Sequence, residues 1–410
     1  MSPDGHGLPG WARDHWVRWA ATAWLVIVTA VCARAVMQPR VRSLYPTWAA
    51  AGGDWLARAP LYRTTWEQHL DQFRYSPLVA ALFAPFHLLP EWLGGAVWRL
   101  LNAVALLGGF AWWLRAVSPR PLTARRWGAL FLLIAPLSLS SLNNGQPNLL
   151  IAGLLLAALA GVMRERWALA AFCVAGATAL KVYPLALGLL LAAVYPRRFA
   201  PRLAVALAAL AAAPFALQQT GYVAEQYRLW YERLRDNDEA RRSWPPHMAY
   251  RDLWLLLRAW HVPVTPRAYL LVQLVSAAGC GAVCVAGRLR GWGRPRLLTA
   301  VLTLAACWMM LCGPATESST YVLLAPALAW AVLGAGGEAW PARVLPALAW
   351  GLLVVCVLAG LFPNTAQFHA LGLQPLAALI FSAGYLATMP RALLATAAAP
   401  VAPAGAARAA

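Results

Sequence analysis

Apolar runs long enough to cross a lipid bilayer recur between residues 18 and 389, and most of them end in arginine. Crossing the hydrocarbon takes roughly 17–25 residues of helix. Backbone groups cannot go unpaired in lipid, so such runs fold as helices or as a closed barrel. Runs such as NLLIAGLLLAALAGV at 148–162 are continuously apolar and do not alternate, which selects helices. Composition agrees, with 61% hydrophobic and 12% charged residues against roughly a quarter charged in soluble domains. The fold expected is an all-α polytopic membrane protein.

The spans read as 18–36, 91–114, 127–142, 147–163, 167–181, 183–195, 202–217, 267–287, 297–312, 320–335, 343–361 and 373–389, about twelve in all. Together they form a single transmembrane domain over 1–395, followed by a low-complexity tail at 396–410 that is expected to be disordered. Short links carry Arg115, Arg120, Arg125 and Arg126, then Arg164 and Arg166, then Arg197, Arg198 and Arg202, then Arg288, Arg290, Arg294 and Arg296. An even number of spans separates each link from the next, so all fall on one face, which the positive-inside rule makes the cytoplasm. Both termini join that face, in what reads as a bacterial inner membrane. The Ala33-Arg34-Ala35 triplet mimics a signal-peptidase site, but the topology works with the first run retained.

The opposite, outer face then carries long loops at 37–90 and 218–266 and shorter ones at 143–148, 313–319 and 362–372. Proline at both ends of SPLVAALFAPFHLLP (76–90) marks a re-entrant or surface-lying helix. The first half of the second long loop has the charge spacing of an amphipathic surface helix, broken at Trp244-Pro245-Pro246-His247. His247 and Asp252 are weighed as substrate contacts, with a surface cap the favoured reading.

The net charge of +19 sits mostly in links beside lipid, which favours anionic membrane lipids over nucleic acid as its counterpart. The seven cysteines lie in or beside spans and read as small apolar residues. No P-loop, dinucleotide fingerprint or zinc-type spacing appears, so no metal or cofactor is expected.

Chemistry-bearing residues are few. Lys181 is the one lysine among 34 basic residues, and it lies in ALKVYPLALGLLL, where Pro184 interrupts the helix. A lysine snorkelling to the interface is the plain alternative, but a lone intramembrane ammonium is a candidate for holding a phosphate. Glu317, at the outer start of a span, is either a base with a raised affinity for protons or a helix cap. The first loop offers Asp54, Glu67 and Asp71, with Arg40, Arg42 and Arg74 for phosphate or lipid headgroups. The polar knot Asn143-Asn144-Gly145-Gln146-Pro147-Asn148 lies between two apolar runs. It is either a turn or the mouth of a polar cavity.

Three stretches resemble glycosyltransferase family 87, the polyprenyl-phosphate-mannose-dependent mannosyltransferase-like membrane proteins of the GT-C class. They are AGGDWLARAPLYR leading into FRYSPLVAALFAPFHLLP (51–90), NNGQPNLLIAGLLLAAL (143–159) and LKVYPLALGLLLAAVYPRR (180–198). The resemblance implies a GT-C-like bundle with outer-face surface helices. It further implies inverting, metal-free hexosyl transfer from a polyprenyl-phosphate sugar donor to a lipid or glycan acceptor. The donor phosphate would meet Lys181, Arg74, Arg42 and Arg40. Asn143, Asn144, Gln146, Asn148, Tyr183 and Tyr75 would contact substrate. Relatives place a catalytic aspartate before a tyrosine early in the first loop, where this chain reads RVRSLYPTW with no acid before Tyr45. The base is therefore expected among Glu317, Asp71 and Asp54. A flippase for lipid-linked sugar and an inactive binding relative are the alternatives.

Overall fold

All twelve apolar runs fold as helices, and the elements between them are helical too. The structure is a computed structural model that describes residues 14–62, 72–118, 121–240, 244–334, 340–360, 362 and 366–395. Its first helices are α1 (His15–Met37), α2 (Tyr45–Ala57), α3 (Pro77–His87), α4 (Glu91–Val117), α5 (Ala124–Asn143) and α6 (Asn148–Met163). Next come α7 (Trp167–Leu180), α8 (Leu185–Val194), α9 (Ala200–Leu217), α10 (Thr220–Ala240), α11 (Leu253–Ala259) and α12 (Pro266–Leu289). The last are α13 (Arg294–Cys312), α14 (Ala325–Gly334), α15 (Trp340–Ala359), α16 (Ala366–Ala370) and α17 (Leu373–Ala395). No strand occurs among the described residues. The tail expected at 396–410 lies outside them.

The bundle is held by close helix approach. A Cβ on Gly153 of α6 would overlap the carbonyl of Ala105 on α4, and one on Gly109 of α4 would overlap the carbonyl of Gly153. Small residues of this kind let helices pack in lipid, where no hydrophobic force drives them together. In α1 and α12, by contrast, most of the apolar surface is left exposed, as suits lipid-facing helices.

The links separate onto two ends. At one end Glu165 accepts from Arg294 at 2.6 Å and lies 3.6 Å from Arg198, so three arginine-bearing links share one acid. At the other end the chain's longer loops converge. The Leu44 amide donates to the Asn144 carbonyl at 2.9 Å, and the Arg251 amide to that of Thr316 at 2.6 Å. These contacts group the links at 164–166, 197–202 and 288–296, as the even spacing of the arginine links expects.

Two short helices, α7 and α8, place their junction at depth. The 14 residues of α7 rise about 21 Å from the arginine-rich end, and hydrocarbon is about 30 Å thick. The 10 residues of α8 rise only about 15 Å. The span expected at 183–195 is therefore a half-length helix, and the α7–α8 junction is recessed within the bundle. The span expected at 320–335 also departs from a simple helix, because it opens with a 3-10 segment, Ser318–Leu323, before α14. The segment at 76–90 forms α3, whose 11 residues reach about 16 Å, too short to span.

Candidate active site

The polar knot is first of all a helix ending. Gly145 sits just past the C-cap of α5 with φ +63, the left-handed conformation glycine adopts without a Cβ penalty. Its amide donates to the Leu142 carbonyl at 3.2 Å, and the Gln146 amide donates to that of Ser141 at 3.0 Å. This is the Schellman arrangement, and Pro147 prevents the helix from continuing. The remaining carbonyls are capped from other helices. Asn143 O accepts from Arg99 Nη2 at 2.9 Å and Arg34 Nη2 at 3.1 Å, and Gly145 O accepts from Trp98 Nε1 at 2.8 Å. The turn is rigid, and it aims two side chains, Gln146 and Asn148, back into the bundle.

Those side chains join three distant parts of the chain. Lys181 Nζ donates to Gln146 Oε1 at 3.1 Å, and Gln146 Nε2 donates to Glu317 Oε2 at 2.5 Å. An amide oriented this way offers its oxygen to the cation and its N–H to the carboxylate, the one orientation that satisfies both. Asn148 repeats the pattern one layer deeper. Tyr183 Oη donates to Asn148 Oδ1 at 3.2 Å, and Asn148 Nδ2 donates to Ser319 Oγ at 3.3 Å. Gln146 and Asn148 are buried, whereas Lys181 and Glu317 are only half-buried. Two opposite charges are therefore held on either side of a buried amide.

Supporting residues fix both charges. The α7 helix stops at Lys181, and Pro184 begins the turn into α8. The Lys181 ammonium lies 5.8 Å from the centroid of the Tyr183 ring. Glu317 holds the N-cap position of the 3-10 segment as well as facing Gln146, and its amide donates to Thr320 Oγ1 at 3.1 Å in a capping box. Ser318 Oγ donates to Gln374 Oε1 at 2.6 Å, which ties the same loop to α17. Arg74 lies in the electrostatic neighbourhood of Lys181. It is positioned by its Nη1 bond to Tyr250 Oη at 3.1 Å and by Trp230 Nε1, which donates to its carbonyl at 3.1 Å.

The other expected residues are distributed around this centre. Tyr75 stacks edge-on against Trp48, with ring centroids 4.3 Å apart. Asn143 and Asn144 engage the bundle through backbone carbonyls, not through side-chain bonds to described residues. Arg40 makes a two-pronged pair with Glu91, 2.9 Å at each prong, at an exposed position. Arg42 is exposed with φ 48 and lies electrostatically close to Arg34. Asp54 sits on α2 beside Tyr222, whose Oη donates to Ala59 O at 2.8 Å. Asp71 lies outside the described residues. Asp252 is buried and caps α11, accepting from the Leu255 amide at 3.1 Å.

Sequence reasoning passed over several supports. Trp230 on α10, Gln374 on α17, Ser319 and Thr320 on the 3-10 segment and Tyr250 in the loop before α11 carried no signal of their own. Arg99 and Asn102 did carry one, as polar residues within an apolar run. At this loop-rich end, burial pushes the Tyr45 hydroxyl up to about 12, with Glu91 a lesser cause. Burial, and then Arg251, holds the His369 imidazole below its ordinary range.

Comparison with known proteins bears on this geometry. Two relatives share the description polyprenol-phosphate-mannose-dependent alpha-(1-2)-phosphatidylinositol pentamannoside mannosyltransferase. The one from Mycobacterium tuberculosis is 34% identical over 116 residues, covering 27% of this chain and 26% of that one. The one from Mycolicibacterium smegmatis is 33% identical over 119 residues, covering 28% of each. The chain thus aligns with little more than a quarter of either relative. Among solved structures, ArnT from Cupriavidus metallidurans bound to undecaprenyl phosphate overlaps 93% of this chain and 78% of its own. With 15% identity and a TM-score of 0.39, that overlap fixes no residue correspondence. The family model of glycosyltransferase family 87 matches residues 73–314, a stretch that holds Arg74, Gln146, Asn148, Lys181 and Tyr183. By that match over more than half its length, the chain belongs to glycosyltransferase family 87.

Proposed function

We propose that the protein is an inverting membrane glycosyltransferase that moves a sugar, mannose in the first instance, from a polyprenyl-phosphate donor to a lipid or glycan hydroxyl. The carrying observation is the Lys181–Gln146–Glu317 bridge. It holds a cation and a carboxylate on either side of one amide, at a recessed junction of short helices. The two relatives' donor, named in their descriptions, supplies the chemical class.

In this reading the roles are as follows. The acceptor hydroxyl oxygen attacks the anomeric carbon, forming the new glycosidic bond. The bond from that carbon to the phosphate oxygen breaks, and its electron pair leaves on the phosphate. Glu317 takes the hydroxyl proton. Lys181, with Arg74 behind it, meets the charge that develops on the departing polyprenyl phosphate, which is where a preorganised cation lowers a barrier most. Asp54 and Asp71 are the alternative bases. The loop-rich end faces away from the cytoplasm in this reading, which puts both termini and the arginine-rich links inside.

The test is transfer of labelled mannose from polyprenyl-phosphate mannose by the purified protein in nanodiscs, with a membrane lipid extract as acceptor. A labelled lipid product that disappears with Lys181→Ala supports the reading. Unchanged product formation by Lys181→Ala overturns the site, and failure with every polyprenyl-phosphate hexose offered overturns the activity.

A further inference from the structure

A second feature lies at the opposite end of α5 from the Asn143 turn. There α1, α4 and α5 enclose a pocket of about 720 Å³, walled by Ala20, Trp24, Leu107, Ala111, Leu114 and Phe131. Arg115 and Ser118 stand at one end of it. At the other, Trp24 Nε1 donates to the Phe131 carbonyl at 2.9 Å and joins α1 to α5. From Arg115 to Leu107 the α4 wall runs about 12 Å, at about 1.5 Å per residue. The pocket is thus an apolar slot with a cationic end.

That end is built for an anion. Arg115, which lines the pocket, lies 5.2 Å from the centroid of the Trp127 ring, and Arg125, next in sequence to the lining Ala124, lies 5.6 Å from that of Trp16, so each guanidinium rests near an aromatic face. Neither makes an ion pair with a described residue. No Asp or Glu occurs in the sequence between Glu91 and Glu165. Asp14, the acid next to Trp16 on the chain, is engaged in capping α1 through the Trp16 amide at 2.9 Å. An arginine fork recognises phosphate by two parallel bonds, and the slot behind it offers only apolar wall and aromatic rings.

We infer that this slot binds one acyl chain of an anionic phospholipid, with the lipid phosphate on Arg115 and Arg125. The site does not depend on the transfer reaction. Phosphatidylglycerol, phosphatidylcholine and inorganic phosphate are the probes, and binding to the full chain in mild detergent is read by native mass spectrometry. One phosphatidylglycerol is retained in preference to phosphatidylcholine. Its affinity falls at least tenfold in Ala111→Phe, which fills the slot, and in the double variant Arg115→Ala with Arg125→Ala. Equal retention of the two lipids overturns the anionic headgroup, and unchanged binding by Ala111→Phe overturns the slot. Binding of inorganic phosphate as strong as that of the lipid overturns the acyl-chain assignment. A phosphatidylglycerol with a photoreactive acyl chain tests the unsubstituted protein. Crosslinks to the α4 segment from Leu107 to Leu114 support the site, and crosslinks confined to other helices overturn it.

Discussion

Gln146 stands between Lys181 and Glu317, accepting from the ammonium at 3.1 Å and donating to the carboxylate at 2.5 Å. An amide does this and an apolar side chain of similar size does not. Gln146→Leu is predicted to lower the turnover number by about 10²–10³, in the range for a mispositioned acid–base group. It also strands two half-buried charges, at a cost of about 1–3 kcal/mol. Turnover at saturating donor, read beside thermal unfolding, separates the two effects. Turnover within twofold of wild type removes Gln146 from the site.

The lysine is not interchangeable with arginine. Its compact ammonium fits over Tyr183 and against Gln146, where a planar guanidinium needs a different set of acceptors. Lys181→Arg is predicted to keep the charge yet lose at least about tenfold in kcat/KM, with a larger loss, about 10²–10³, in Lys181→Ala. Steady-state kinetics against donor concentration decide it. Full activity in Lys181→Arg means that charge alone suffices.

The α4–α6 contact constrains the sequence closely. A Cβ at Gly153 meets backbone, whereas one at Gly108, on the same helix as Gly109, meets nothing within 4 Å. Gly153→Val is predicted to lose about 1–3 kcal/mol or more by overpacking, and Gly108→Ala to be neutral or mildly stabilising. Thermal unfolding in detergent distinguishes them, and equal melting points contradict the packing account.

His369 gives the loop-rich end a pH dependence. Burial, with Arg251 adding to it, lowers the folded-state affinity of this imidazole for protons below that of the unfolded chain. The unfolded state then binds the extra proton first. Stability is complete above about 6.5, the unfolded value, and declines as pH falls below it. His369→Phe is predicted to flatten that decline without altering stability at pH 8. A melting profile from pH 8 to 5 that is identical in the variant rules His369 out as the cause.

The sequence announced the membrane architecture because its signals are local. Apolar length marks a helix, so the apolar runs were legible as helices, six of which, among the described residues, are long and apolar enough to cross a membrane. Lys181 and the Asn143–Asn148 knot stood out for the same reason, as polar residues where lipid or tight packing surrounds them. Glu317 stood out as well, but its contact with the knot did not. Gln146 and Glu317 are 171 residues apart, and nothing in a single sequence distinguishes a carboxylate that caps a 3-10 turn from one that also meets an amide across the bundle. The break before α8 was legible too, from Lys181 and Pro184 between the runs at 167–181 and 183–195. Asn143 and Asn144 read as ligand-facing side chains, whereas the fold uses their carbonyls to receive Leu44, Arg34 and Arg99.

The central claim is that Glu317 takes the acceptor proton, and it is tested most directly by single-turnover transfer with donor already bound. Glu317→Gln, Asp54→Asn and Asp71→Asn are compared in one preparation, each checked for folding. Loss of about 10²–10⁴ in the transfer rate is predicted for Glu317→Gln alone, with donor still bound. A Glu317→Gln protein that transfers at the wild-type rate, while Asp54→Asn or Asp71→Asn does not, contradicts the account and moves the base to the first loop.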